Sequence, residues 1–281
     1  MTIGIFDSGL GGLTVFRAVR ALMPCESLLY LGDNARVPYG NKSAETVTRY
    51  SIENADFLVE RGVKALVVGC NTSTAFALPT LVARYNMPVL GVIAPGAARA
   101  AAVSTCRRIG VIGTAGTIAS RAYAHAITAL APDAKIFERA CPLFVPLVEE
   151  GWIDSPITQE IIAHYIEPLC REQIDTLILG CTHYPLLALG IRAVVGEKIH
   201  LVDSGAATAV SLQATLREKN MCASADATPT HQLFMTDATP NIDRFVANVL
   251  GDMNRGTTVH FVRWDDRSLW SLGRGTKKPS L

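Results

Sequence analysis

The chain has 281 residues, 49% of them hydrophobic, and a formal net charge of +1 from dispersed Lys and Arg. That length favours two domains over one, and the charge balance argues against nucleic acid as a main partner. The seven cysteines run from Cys25 to Cys222 without a C-x-x-C pair, which argues against a disulfide framework or dithiol site. No apolar stretch reaches the ~20 residues of a membrane span. Met1-Thr2-Ile3-Gly4 opens the chain without a secretory leader, so a soluble, cytoplasmic protein is expected.

Short apolar runs alternate with helical segments along the chain, the pattern of a parallel sheet covered on both faces. In the first part, strands are expected at Thr2 to Phe6, Ser27 to Gly32, Ala65 to Val68 and Val89 to Gly91. Helices are expected between them at Leu13 to Leu22, Ser43 to Arg61 and Thr72 to Arg84. Further on, the expected strands are Arg108 to Ile112, Ala134 to Arg139, Thr176 to Leu179 and His200 to Val202. Thr117 to Leu130, Thr158 to Cys170 and Tyr184 to Val195 read as the helices there. Late strands follow at His231 to Met235 and Thr258 to Val262. Pro24, Pro79, Pro88, Pro132 and Pro156 are expected near element ends or in connections, because proline lacks the backbone donor.

The sequence repeats itself. Ile3-Gly4-Ile5 is echoed by Ile109-Gly110-Val111, and each glycine is followed at a similar distance by a second shared motif. Those motifs are Leu66-Val67-Val68-Gly69-Cys70-Asn71-Thr72 and Leu177-Ile178-Leu179-Gly180-Cys181-Thr182-His183. The reading is an α/β protein of two pseudo-symmetric parallel-sheet lobes with the active site in the cleft between them. Residues 1–95 form the first lobe, 96–207 the second, 208–264 return to the first, and 265–281 are a C-terminal tail. Ligands of parallel sheets bind beyond the carboxyl ends of the strands, so two facing lobes would place one thiol on each wall.

Each cysteine falls where a strand ends and a helix begins. A helix N-terminus favours the thiolate, so both thiols are expected to be acidified and fit for proton chemistry. Burial of two ordinary core cysteines is the competing reading. Phe6-Asp7-Ser8-Gly9-Leu10-Gly11-Gly12 puts a carboxylate, a hydroxyl and close-approach glycines at the exit of the first strand. It suits an anion, or else a tight turn with Asp7 as a cap. In Gly32-Asp33-Asn34-Ala35-Arg36-Val37-Pro38-Tyr39-Gly40, Asp33 and Arg36 either reach a ligand or hold the loop. His183, two residues past Cys181, can exchange protons with the thiol or merely line the helix start. Cys181-x-His183 has no second pair at zinc-ligand spacing, so no metal is expected. Glu149, ending the Pro-broken stretch Cys141 to Trp152, reads by itself as a solvated loop charge.

Together these motifs resemble those of the glutamate racemases, of the aspartate/glutamate racemase family, from about Ile3 to Gly205. The resemblance rests on Phe6-Asp7-Ser8-Gly9 with Gly11-Gly12, Gly32-Asp33 through Tyr39-Gly40, Cys70-Asn71-Thr72, Glu149, and Leu179-Gly180-Cys181-Thr182-His183-Tyr184-Pro185. It implies interconversion of L- and D-glutamate, supplying D-glutamate for peptidoglycan, with Cys70 and Cys181 as the two acid/base residues. Asp7, Ser8, Tyr39, Gly40, Asn71, Thr72, Thr182 and His183 would bind the amino acid. Asp7 and His183 would also tune proton transfer, with Glu149 as a further polar helper. No cofactor is implied: no lysine lies in these motifs to form a Schiff base with pyridoxal phosphate. The competing readings are the same chemistry on aspartate or a hydantoin, and a non-catalytic two-lobe module that closes on a small anion. A homodimer is the default assembly, and residues after about Trp264 match nothing in the resemblance.

Overall fold

The structure, a computed structural model, describes residues 2–263; the expected tail at 265–281 lies outside them. In chain order the strands are β1 (Thr2–Asp7), β2 (Leu28–Gly32), β3 (Val63–Val68), β4 (Val89–Gly91), β5 (Arg108–Gly113), β6 (Lys135–Ala140), β7 (Thr176–Gly180), β8 (His200–Asp203), β9 (His231–Met235) and β10 (Thr257–Phe261). The first helices are α1 (Leu13–Leu22), α2 (Ala44–Val59), α3 (Asn71–Arg84), α4 (Ile93–Val103), α5 (Ala115–Ala119) and α6 (Ala122–Leu130). They are followed by α7 (Phe144–Glu149), α8 (Pro156–Arg171), α9 (Ala188–Val195), α10 (Ser204–Glu218) and α11 (Ile242–Leu250).

Two all-parallel sheets result, one in the order β10-β9-β2-β1-β3-β4 and one in the order β6-β5-β7-β8. The inner order β2-β1-β3-β4 of the first sheet is repeated by the whole of the second, which makes β1 the counterpart of β5 and β3 that of β7. Strands β1, β3, β5 and β7 are buried along almost their whole length. That explains why they read as continuous apolar runs and not as alternating ones.

The chain crosses from the first sheet to the second through α4, which packs on β7, β8 and α6. It returns through α10, which packs on α1 and α4. Both helices, and α11, fall in segments that pattern alone leaves as crossings or connections. The link after α10 is pinned beneath the first sheet. Lys64 Nζ donates to the Met221 carbonyl at 2.5 Å and pairs with Glu26 Oε2 at 2.6 Å, while Ala223 N–H donates to Glu26 Oε1 at 2.7 Å. One apolar cluster, including Ile5, Phe16, Ile112, Leu179 and Leu212, joins the two lobes.

Local departures from the sequence reading have identifiable causes. Pro79 sits inside α3 and not at an end; it is on the exposed face, where water can satisfy the carbonyl that loses its donor. The helix expected over Thr117 to Leu130 is broken into α5 and α6 by Arg121, whose φ of 57° is left-handed. The stretch around Cys141 to Trp152 is not all loop, since Phe144–Glu149 forms α7.

Candidate active site

Beyond the carboxyl ends of the strands, a narrow cavity of about 30 Å³ opens between the lobes. Ser8, Tyr39, Gly40, Cys70, Asn71 and Thr72 line it from the first lobe, with Val37 and Pro38. Thr114, Val145, Cys181, Thr182 and His183 line it from the second.

Cys70 follows β3 and caps α3, accepting from Ser73 N–H at 3.4 Å. Its thiol donates to Ser8 Oγ at 3.5 Å. The expected acidification does not occur at this cysteine: burial, and then the charge of Asp7, push its thiol up to about 11. The helix start supplies a stabilising hydrogen bond, yet the loss of water outweighs it. Cys181 follows β7, but no α-helix begins there. A 3-10 turn, Tyr184–Leu187, intervenes before α9, so the two thiols share a strand position and differ in surroundings.

On the Cys181 side the partner is an imidazole. His183 Nδ1 lies 3.9 Å from Cys181 Sγ, and His183 Nε2 lies 3.1 Å from Glu149 Oε1. Burial alone would lower His183, but the hydrogen bonds to Cys181 and Glu149, and their charges, override it and raise the imidazole to about 10. Aromatic packing brings Glu149 within reach. Phe144, on α7, meets Tyr184 edge-on at 5.1 Å and Tyr165 at 5.3 Å, and Tyr184 donates its hydroxyl to the Cys141 carbonyl at 2.9 Å.

Asp7 is fully buried behind the cavity, accepting from Gly9 N–H at 3.0 Å and from the Thr182 hydroxyl at 3.4 Å. It does not cap α1, whose N-cap is Gly12. Desolvation raises its carboxyl and the nearby His183 opposes that rise. Two of the glycines after it are packed too closely for a side chain. A Cβ on Gly11 would stand 2.4 Å from His183 Nδ1 and 2.5 Å from Thr182 Oγ1, and one on Gly12 would stand 2.3 Å from Asp7 Cβ.

Asp33 and Arg36 take the structural alternative. Asp33 is fully buried, pairs with Arg36 Nε at 2.7 Å, and accepts from the hydroxyls of Tyr39 and of Thr236, the latter at 3.1 Å. Arg36 also pairs with Glu53, and Asn54 Nδ2 donates to the Tyr39 hydroxyl at 3.1 Å. Neither Asp33 nor Arg36 lines the cavity; together they fix the Tyr39-Gly40 segment that does.

Three residues, Thr114, Thr117 and Tyr123, escape the sequence reading. Thr72, Thr114 and Thr117 form a hydroxyl cluster across the lobes, with Thr72 2.9 Å from Thr114 and 3.2 Å from Thr117. Tyr123 donates to Asn71 Oδ1 at 2.7 Å. The repeat held a signal for Thr114. It lies four residues past Gly110, as Ser8 lies four past Gly4, and both line the cavity. Among the described residues no cluster of three or more His, Cys, Asp or Glu could hold a metal ion, and no helix is long and apolar enough to cross a membrane.

Two matched parallel-sheet lobes thus meet at one cavity, and each contributes a thiol to its lining. Residues 14–212 match the family described as Asp/Glu/hydantoin racemase. The chain is similar to the glutamate racemase of Geobacter metallireducens, at 49% identity over 89% of this chain and 94% of that one. Similarity to the glutamate racemase of Aquifex aeolicus is 46%, over 90% and 95%. Among solved structures, glutamate racemase isoform RacE1 from Bacillus anthracis superposes with a TM-score of 0.89 at 39% identity, covering 94% of this chain and 97% of that one. Francisella tularensis glutamate racemase in complex with D-glutamate superposes at 0.87 and 31%, covering 94% and 98%. The chain belongs to the Asp/Glu/hydantoin racemase family, among its glutamate racemases. An aspartate racemase from Picrophilus torridus, at 16% identity and a TM-score of 0.56, shares the fold.

Proposed function

We propose that this enzyme interconverts L- and D-glutamate by passing a proton through Cα between Cys70 and Cys181, without a cofactor. The observation that carries the reading is that both thiols line one cavity from equivalent strand ends of the two lobes. The relatives' names supply the substrate. The two working lobes are 1–95 with 208–264, and 96–207.

An amino-acid α-proton is very weakly acidic, so its removal needs a positioned base, and inversion needs an acid on the other face. A thiolate on one wall takes the proton from Cα, and the electron pair left behind is delocalised into the carboxylate. The thiol on the other wall then delivers its proton to the opposite face. The enzyme ends with the two protonation states exchanged, ready for the reverse enantiomer.

The surroundings supply the two roles differently. Cys70 is held as a neutral thiol, the donor form, by burial and Asp7. Cys181 has a buried imidazolium at 3.9 Å, fixed by Glu149, with which to trade a proton. Asn71, Thr72, Thr114, Thr182 and the Tyr39-Gly40 backbone supply donors for the substrate's carboxylates in a water-poor cleft. Among the described residues no lysine lines the cavity to form a Schiff base. The physiological role that fits is supply of D-glutamate for peptidoglycan in the cytoplasm, by a homodimer.

Incubation with L-glutamate in D2O, without added cofactor, tests this reading by optical rotation and proton NMR. Loss of rotation with deuterium at Cα, abolished in Cys70→Ala and in Cys181→Ala and reduced to at most a trace by Ser at either position, is the expected result. Full activity in Cys181→Ala would sink the two-base scheme. Turnover of aspartate or a hydantoin in place of glutamate would reassign the substrate.

A further inference from the structure

Asn71 is 2% exposed and lines the cavity, and its Nδ2 is buried with no hydrogen-bond partner among the described residues. A buried amide donor without an acceptor is costly unless something meets it when the site is occupied. The orientation of that amide is set from the other lobe. Tyr123, fully buried on α6, donates its hydroxyl to Asn71 Oδ1 at 2.7 Å, 52 residues away in sequence. With Oδ1 held as the acceptor of a phenol, Nδ2 is the edge left for a ligand.

Tyr123 is well suited to be that donor. Burial raises its phenol above the ordinary tyrosine range, so it keeps its proton across the working pH of an enzyme. Room for the hydroxyl comes from Gly96 on α4, where a Cβ would stand 3.3 Å from the Tyr123 oxygen. We propose that Tyr123 is a positioning residue for the reaction, holding the Asn71 carboxamide so that Nδ2 donates to a carboxylate of the bound amino acid. The bond joins the two lobes, so Asn71 is set for its ligand only while the Tyr123 lobe is in place. The proposal rests on the amino-acid racemase reading above.

A double-mutant cycle on the full-length enzyme tests it, using Tyr123→Phe, Asn71→Ala and the pair, with KM and kcat for each enantiomer of glutamate. Tyr123→Phe keeps the ring and removes the donor. Loss of one hydrogen bond of ordinary strength predicts a fall of about three- to tenfold in kcat/KM, chiefly through KM. In the Asn71→Ala background the same change should have no further effect, because the group it positions is gone. An unchanged kcat/KM in Tyr123→Phe, or an equal fall in both backgrounds, would overturn the assignment. A packing role alone gives that second pattern, with a lowered melting temperature. Should Tyr123→Phe fail to fold, Gly96→Ala, which crowds the same hydroxyl, is read in the same cycle against the same outcomes. Failure of the parent reading is separable: the unsubstituted enzyme would then not racemise glutamate at all.

Discussion

Glu149 Oε1 and His183 Nε2 lie 3.1 Å apart, although 34 residues separate them and the carboxylate is one-third exposed while the imidazole is buried. The contact turns a residue that reads as a loop charge into the group that fixes the ring facing Cys181. Glu149→Gln should therefore lower kcat by about ten- to a hundredfold, the range for losing a charged hydrogen bond. It should also shift the pH profile. Glu149 helps to raise His183 to about 10, so its removal lowers the imidazole and moves the alkaline limb of kcat to lower pH. A pH–rate series on both proteins is the check.

The Asp33 network predicts a loss of stability. Asp33→Asn removes the charge facing Arg36 and weakens the hold on Tyr39. Breaking such a buried pair, with Glu53 still beside Arg36, should cost about 2–3 kcal/mol. Urea unfolding should show a lower midpoint at unchanged slope. Thermodynamics identical to the parent would overturn the structural role of Asp33.

Gly11 separates the lobes' fit from their folding. An alanine there would put its methyl 2.4 Å from His183 Nδ1, so the imidazole or the wall carrying it must move. Displacement of a reacting group by ~1 Å costs on the order of 100-fold in rate. Gly11→Ala should lose activity on that scale while its circular dichroism and melting temperature change little.

His231 gives an acid limb to stability. It is buried against the edge of Phe16, its Nδ1 without a hydrogen-bond partner among the described residues, and burial followed by the charge of Arg20 lowers it to about 4 from 6.5. A depressed histidine binds fewer protons folded than unfolded, so its contribution is present above pH 6.5 and is lost as pH falls through 4. The urea midpoint should drop over that interval, and His231→Gln should flatten the drop.

What could be read from the sequence follows from what is local. The strands were visible because buried parallel strands are apolar throughout, and the repeat placed both cysteines at equivalent strand ends before any contact was known. Helix starts are local too, but the acidity of Cys70 is not. It depends on a carboxylate 63 positions away, Asp7, and on burial by both lobes. Asp33 was ambiguous because its deciding partner, Thr236, follows β9 near the other end of the chain. Tyr123 gave no signal at all, since an aromatic residue in an apolar helix reads as core until its hydroxyl is seen to meet Asn71.

The matched strand orders of the two sheets have a thermodynamic side. The enantiomers of an amino acid have equal free energy in water, so kcat/KM must be the same in both directions whatever the enzyme does. The near-twofold scaffold answers that symmetry, but its walls are furnished unequally, with Ser8 and Asp7 about Cys70 and with His183 and Glu149 about Cys181. That inequality can appear only as a trade, one hand bound more tightly and turned over more slowly by the same factor. Measured from each end of the reaction, the ratio of the two KM values is a direct reading of how far the two walls differ.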